Sequence, residues 1–531
     1  MILPSVFPQS WSEKKIAVLV LGIIVVFYLF NGIVYLNAQS VNSDEEGFYN
    51  YAKRLAKGNP ERIDPVVDNS KMPVIILNLI PRATEQFFEP QKHKTDWGRE
   101  DIIRGRYITL FISVLVILLV YFWAYDLYGL QAGLFAAFLM SFSPNFIANA
   151  AFVTTDAYSV LLLLGSLYFM WNMVRKPSFK YFIFFSIATA LGQLVKQSLF
   201  HLYVLIPVIL MIYFFINRAP IRFTGLLKYV LIFIFIQWFV INLGYFFYGT
   251  NRRLGDYHFM SHFFQSIQLV FPSWLRLPFP KPFVEGLDMA KYYDQIGGGI
   301  DMKSSFGKVT ILGHSSVGGS FWYYYFVSIF FKMPIAYFIL ICWSAGIFIR
   351  RKSIRLLGQR ELFIIFPILY FLFVMSFLYN TQVGVRHLIF LIPLVCILCA
   401  SMVAELESGK QKILLALTSL YLIVSVLFYW RNYFPYTNEF IWNKTFAYEY
   451  VGASNLDFHQ GSGFATEFLQ KHPSVHPVPE TPDTGEFLIR VADYLDIWSG
   501  HKYDWISRIK PYGQVGFSNL LIRVDSSNLQ R

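Results

Sequence analysis

The sequence predicts an all-α polytopic membrane protein, and three observations carry the prediction. Of its 531 residues, 55% are apolar and only 15% are charged, where soluble chains carry about 25% charged residues. Apolar runs of roughly 18–20 residues recur, the length that crosses about 30 Å of hydrocarbon. The basic clusters in the short segments between those runs fall on one side, so the formal charge of +12 is chiefly a topology signal. A nucleic-acid partner is not expected, because no basic stripe interleaved with aromatics lies outside these segments.

The first run, Ile16 to Tyr35, is too long for a secretory signal and lacks a small-residue cleavage site. It is expected to be a retained span. Eleven candidate spans follow from hydropathy, at about 16–36, 107–125, 129–148, 157–174, 181–195, 199–217, 229–248, 334–349, 362–379, 388–404 and 413–430. With the N-terminus inside, the inside loops hold Lys14 and Lys15; Arg175, Lys176 and Lys180; Arg218, Arg222 and Lys228. They also hold Arg350, Arg351, Lys352, Arg355 and Arg360, then Lys410 and Lys412. This is the basic-inside asymmetry of a cell (inner) membrane protein.

An odd span count then puts three long segments on the extracytoplasmic side. Residues 1–430 form a transmembrane domain that includes outer loops 37–106 and 249–333, and 431–531 form an extracytoplasmic C-terminal domain. The first loop has nearly balanced charges and contains Pro60, Pro65, Pro73, Pro81 and Pro90. The second holds "HFFQSIQLVFPSWLRLPFP", whose aromatics predict helices lying in the interface plane. In "FWYYYFVSIFFKMP", a Lys eleven residues into an apolar run and then a Pro predict two elements, with a span starting at Pro334. In the tail, "LDFHQGSGFATEFLQKH" has helical spacing, while "GEFLIRVA" and "GFSNLLIRV" alternate like strands. A small α+β domain is expected there.

The three cysteines, Cys342, Cys396 and Cys399, all fall inside apolar spans. They are expected to be small buried hydrophobes. No disulfide framework is implied, no set of ligands completes a metal site, and no cofactor is expected.

Chemistry concentrates just outside the spans. "VNSDEEGFYNYAKRLAKG" places Asp44, Glu45 and Glu46 one or two turns beyond the first span. Ser43 and Glu46 have capping-box spacing, and acids in a first helical turn complement the dipole. Capping alone accounts for these acids locally. Yet Lys71, Asp156, Lys196, Lys332, Arg386 and His387 fall at the same depth, where the topology rule disfavours cations. Taken singly, each is a cap or a snorkelling cation. Together they suit one chemistry. Carboxylates orient or deprotonate an acceptor hydroxyl, and cations hold a phosphate and stabilise it as it leaves. A lipid transporter or flippase, or a non-catalytic glycolipid-binding subunit, are the competing readings. A transporter predicts polar residues near the midplane and symmetry between halves, whereas here the polar residues gather at one face.

These motifs, in this order, resemble the GT-C membrane glycosyltransferases of the protein O-mannosyltransferase and lipid A aminoarabinose transferase superfamily. "DEEGFYNYAKRLAKG" resembles the family's first-loop pattern. "NSKMPV" resembles its Lys/His-Pro-Pro motif, with Met72 replacing the first Pro. "RGRYITLFISVLVILLVYFWAYDLYG", "TTDAYS", "LVKQS", "GGSFWYYYFVSIFFKMPIA" and "GVRHLIFLIP" are similar to later patterns. "ASNLDFHQ" resembles an Asp-Ser-Asn-Leu-Asp-Trp-Gly-Gln pattern, from which Ala453, Phe458 and His459 depart. The resemblance implies a polyprenyl-phosphate sugar donor, a protein, lipid or glycan acceptor, and inverting transfer on the periplasmic or exterior face. It implies Asp44 as the catalytic carboxylate with Glu45 beside it, and Lys71, Asp156 and Arg386 as donor and active-site contacts. Lys196, Lys332 and His387 join the donor side by their depth.

Overall fold

A computed structural model describes residues 11–63, 68–89, 98–218, 223–297, 308–351, 354–497 and 499–529. Pro65, Pro90, Arg222 and Lys352 lie outside the described residues. Among the described residues, seven helices are long and apolar enough to cross a bilayer: Glu13–Ala38, Arg99–Tyr128, Asp156–Arg175, Gln197–Asn217, Gly225–Gly244, Val385–Glu405 and Gly409–Leu427. Two bent pairs bring the number to nine if each is one span. Leu130–Ser141 meets Pro144–Ala150 at 64°, and Tyr324–Lys332 meets Ile335–Arg350 at 106°. Both bends fall at a proline, which has no N–H to continue a helical ladder. The second confirms the predicted break before Pro334.

The expected eleven spans are not established, because two of them rest on shorter helices. Phe179–Gly192 has 14 residues, about 21 Å at 1.5 Å per residue, and Leu362–Leu378 is also short.

The central helix Arg99–Tyr128 packs against Leu130–Ser141, Asp156–Arg175 and Ile392–Ala400. Trp123, Trp171, Met140 and Leu164 fill the space between them. The peripheral helices invert the pattern of a soluble protein. Val18 and Val26 on the first helix are 72% and 66% exposed, a surface that lipid tails match and water does not. Cys396 and Cys399 are buried as expected, but Cys342 is exposed on the outward face of its apolar helix. The burial expected of all three therefore fails at Cys342.

Among the described residues, two sheets lie outside the helices. β1 (Lys308–Ile311) and β2 (His314–Val317) form an antiparallel hairpin. Its two-residue turn, Leu312–Gly313, has positive φ at both positions, the twist that suits hairpins. Near the C-terminus, β3 (Val475–Pro477), β4 (Gly485–Arg490), β5 (Gly513–Val515) and β6 (Asn519–Val524) form a sheet ordered β3-β4-β6-β5. β3 runs parallel to β4, and the other pairs are antiparallel. The two predicted strands are β4 and β6. Phe487, Ile489, Leu520 and Ile522 pack on one face of the sheet. Leu488 and Leu521 pack on the other, beneath Phe468 and Leu469 of helix Ser462–Lys471. His262–Val270 is the helix expected in the second loop, and it exposes Phe263, Leu269 and Val270.

Candidate active site

The first acidic turn is capped one residue earlier than its spacing suggested. Asn42, not Ser43, is the N-cap of helix Ser43–Ala56, and the capping box closes on Glu45 rather than Glu46. Asn42 Oδ1 accepts the Glu45 N–H at 2.9 Å, and Glu45 Oε2 accepts the Asn42 N–H at 3.2 Å. This register separates the roles of two neighbouring acids. Successive helical residues point about 100° apart, so Glu45 turns into the protein and Asp44 turns out of it.

Glu45 is fully buried against Arg106, which is itself fully buried. Arg106 donates to both carboxylate oxygens, at 2.8 and 2.7 Å. The Val153 N–H adds a third donor at 2.9 Å. The same guanidinium donates to the carbonyls of Leu36, Gln39 and Ser40. Glu45 is thus consumed in fastening helix Ser43–Ala56 and the end of the first helix to the central helix Arg99–Tyr128, and it does not join the constellation around Asp44. Arg106 escaped the sequence reading because its partners lie 61 to 70 residues away.

Asp44 keeps a partly exposed carboxylate whose Oδ2 accepts from Arg386 Nη1 at 2.8 Å. Burial alone pushes this carboxyl up, but the charges of Arg386 and Lys71 and the Arg386 hydrogen bond outweigh it. Asp44 is therefore held below the ordinary carboxylate range. Lys71 is buried, with its Nζ 3.8 Å from the centre of the Phe48 ring. Burial pushes the Lys71 ammonium down and Asp44 only partly restores it.

Asp156 opens helix Asp156–Arg175 and accepts from Lys196 Nζ at 2.8 Å. Lys196 is held at the extended residue before the turn Gln197–His201. Arg386 is within electrostatic reach of Asp156 as well as Asp44, and His387 of both acids. Asp44, Lys71, Asp156, Lys196, Arg386 and His387 thus gather at one end of the bundle.

Lys332 does not join them. It is buried, and its Nζ donates to the carbonyls of Phe434 and Asn455 at 2.6 and 2.7 Å. No local signal could have shown this, because both acceptors are more than a hundred residues away.

Arg386 sits near the start of the turn Val385–Leu391, which Gly384 enters at φ +87°. Its guanidinium carbon lies 4.0 Å from the Phe458 ring centre. Its Nε is buried and, among the described residues, meets no acceptor. Nη1 of the guanidinium is therefore committed to Asp44, while the buried Nε is left without a partner.

Among the described residues, the His and carboxylate groups close enough to share a cation are Asp496, His501 and Asp504, whose ligand atoms lie within 4.8 Å of one another. His501 Nδ1 already faces both carboxylates, at 3.1 and 2.9 Å.

Residues 99–245 match the family profile described as dolichyl-phosphate-mannose-protein mannosyltransferase. The Archaeoglobus fulgidus oligosaccharyltransferase in its apo form superposes with a TM-score of 0.51 at 14% identity, over 90% of this chain and 62% of its own. The fold is that of the GT-C glycosyltransferases. ArnT from Cupriavidus metallidurans bound to undecaprenyl phosphate aligns over 95% of this chain and 98% of its own, with a TM-score of 0.47 and 13% identity. No curated protein sequence matches the chain.

Within this GT-C fold, the segment 99–245 supplies Arg106, Asp156 and Lys196. Asp44, Lys71 and Arg386 come from outside it, so no single stretch of chain holds the constellation. The turn Ala453–Gln460 is brought to the site by long-range contacts, through Phe458 on Arg386 and Asn455 beneath Val385.

Proposed function

We propose that this chain transfers a sugar from a polyprenyl-phosphate-linked donor to an acceptor hydroxyl on the extracytoplasmic face of the membrane. The observation that carries the proposal is the pairing of Asp44 with one edge of Arg386 while Arg386 Nε stays buried and unpaired. A guanidinium so placed receives a phosphate oxygen in forked geometry. Lys71, Lys196 and His387 surround the same place, and Asp156 holds Lys196. The family profile over 99–245, named for a dolichyl-phosphate-linked mannose donor, supports that donor class.

The chemistry follows from the charges. The acceptor oxygen attacks the anomeric carbon as the bond from that carbon to the phosphate oxygen breaks. The phosphate leaves with the bonding electron pair, and Arg386 stabilises the charge that develops there. The acceptor proton passes to Asp44. Asp44 is a weak base because its neighbours hold it ionised, so proton transfer comes late, when the attacking oxygen has become acidic. One displacement at the carbon inverts its configuration. The Asp44 end of the bundle faces outward because the basic loops at the opposite end stay in the cytoplasm.

The test is release of free polyprenyl phosphate from polyprenyl-phosphate sugars incubated with membranes containing the protein. Release that disappears in Asp44→Asn supports the proposal. No release with any donor, from membranes with verified protein, overturns it.

A further inference from the structure

We infer that the turn Ala453–Gln460 is a built-in clamp on the donor site, with Phe458 as the positioning residue that aims Arg386. The inference rests on the reading of Arg386 as a phosphate-binding group and adds the part of the chain that orients it.

Three contacts make the clamp. The first fixes the backbone beneath Arg386. Asn455 Oδ1 accepts the Val385 N–H at 2.8 Å, and the Asn455 amide donates to the Val451 carbonyl at 2.6 Å and to Tyr324 Oη at 3.2 Å. Tyr324 Oη in turn accepts the Gly384 N–H at 2.9 Å. The approach is so close that a Cβ on Gly384 would lie 2.7 Å from the Ser454 carbonyl oxygen.

The second contact fixes the guanidinium itself. Phe458 covers one face at 4.0 Å, and the ring is held edge-on by Phe434 at 5.5 Å between centroids. A ring on one face confines the guanidinium to a plane. Asp44 on Nη1 then fixes its rotation in that plane, and the direction of Nε follows.

The third contact reaches the Asp44 side. Gln460 carbonyl oxygen accepts the Ser40 N–H at 3.0 Å, and Ser40 Oγ accepts the Gly463 N–H at 2.9 Å. Ser40 lies two residues before the Asn42 cap. The same turn therefore holds both segments that carry the ion pair. Asp457 anchors the turn from behind, accepting the N–H groups of His459 and Ala492.

A cation held against an aromatic face gains more when both are shielded from water. Phe458→Leu keeps an apolar contact and removes the π face. It should weaken binding of undecaprenyl phosphate to the purified full-length protein by roughly five- to thirtyfold. Phe458→Tyr keeps the ring and should bind within about twofold of the parent. The deciding measurement is a cycle with Arg386→Lys, because a clamp that acts through the guanidinium has nothing to aim once it is gone. Phe458→Leu should then cost little further affinity in the Arg386→Lys background.

Parent-like binding by Phe458→Leu overturns the clamp. So does an equal loss in both backgrounds, which would make Phe458 a packing residue or a direct lipid contact. Failure of Phe458→Tyr to restore binding in protein that melts like the parent has the same consequence. If Arg386→Lys itself binds undecaprenyl phosphate like the parent, the phosphate reading of Arg386 fails instead.

Discussion

Glu45→Gln should cripple folding while leaving the chemistry of Asp44 untouched in whatever protein folds. The change is nearly isosteric, but it removes the carboxylate charge that compensates Arg106 in a place fully shielded from solvent. The carboxylate accepts two hydrogen bonds from Arg106, one from Val153 and one from Asn42. A Gln oxygen can accept some of these, but its NH2 group points a donor at a guanidinium that has only donors. Breaking one side of a buried ion pair costs roughly 3–5 kcal/mol, because the other charge is stranded. That is on the order of a hundred- to a few-thousand-fold in the folded fraction. The loss falls where the first helix, the helix Ser43–Ala56 and the central helix Arg99–Tyr128 meet. Protein yield in membranes and melting in detergent measure it, with turnover normalised to folded protein. A Glu45→Gln protein that accumulates and melts like the parent, yet does not turn over, would refute the reasoning and make Glu45 a catalytic group.

The other predictions concern the outward-facing residues. Asp44→Asn should fold and insert normally and lose at least about a hundredfold in turnover, the scale of a missing catalytic base; near-normal turnover would remove Asp44 from the chemistry. Arg386→Lys should lose on the order of a hundredfold in rate despite keeping its charge, since an ammonium cannot reproduce the fork; parent-like kinetics would leave Arg386 a snorkelling cation. Because its neighbours depress Asp44 in the folded protein, its ion pair stabilises the fold above the ordinary carboxylate pKa and is lost as pH falls through the lower, folded value. The acid limb of kcat/KM should therefore lie below the usual carboxylate range, and an inflection above about pH 5 that vanishes in Asp44→Asn would contradict this. A reporter fused after the C-terminal segment should behave as periplasmic or extracellular, and cytoplasmic activity would show that one of the short helices has been misassigned.

Much of the architecture was legible because lipid imposes a simple rule. A helix in hydrocarbon satisfies its own backbone and shows apolar side chains outward, so hydropathy found the long helices, although the central one starts at Arg99, eight residues before the expected 107. The break before Pro334 and the strands β4 and β6 were equally local, the first resting on a missing N–H and the second on alternation, whereas the three-residue strands β3 and β5 are too short to show it. Phe179–Gly192 and Leu362–Leu378 read as full spans from hydropathy, but as helices of 10–17 residues they fall short of the roughly 20 residues that cross the hydrocarbon. The hairpin Lys308–Val317 went unnoticed because two four-residue strands carry too little periodicity.

The site shows where local reading ends. Depth relative to the spans is written in the sequence, and it picks out Asp44, Lys71, Asp156, Lys196, Arg386 and His387, which the fold gathers at one end of the bundle. Direction is not written there. Asp44 and Glu45 share depth, charge and a helical turn, and only the position of the cap decides which one faces Arg106. Moving that cap from Ser43 to Asn42 leaves both acids in the first turn but assigns the capping box to Glu45, so the box itself draws Glu45 inward. Lys332 differs from Lys196 in the same way. Both lie near the mouth of the bundle, but Lys332 meets two carbonyls brought in by the C-terminal chain, and Lys196 meets Asp156. The tertiary partner, unlike the depth, separates a charge spent on fastening the chain from one left among the charges at the end of the bundle. That is why the two acids side by side, mutated singly, make the sharpest comparison: one amide should cost the fold, and its neighbour should cost the reaction.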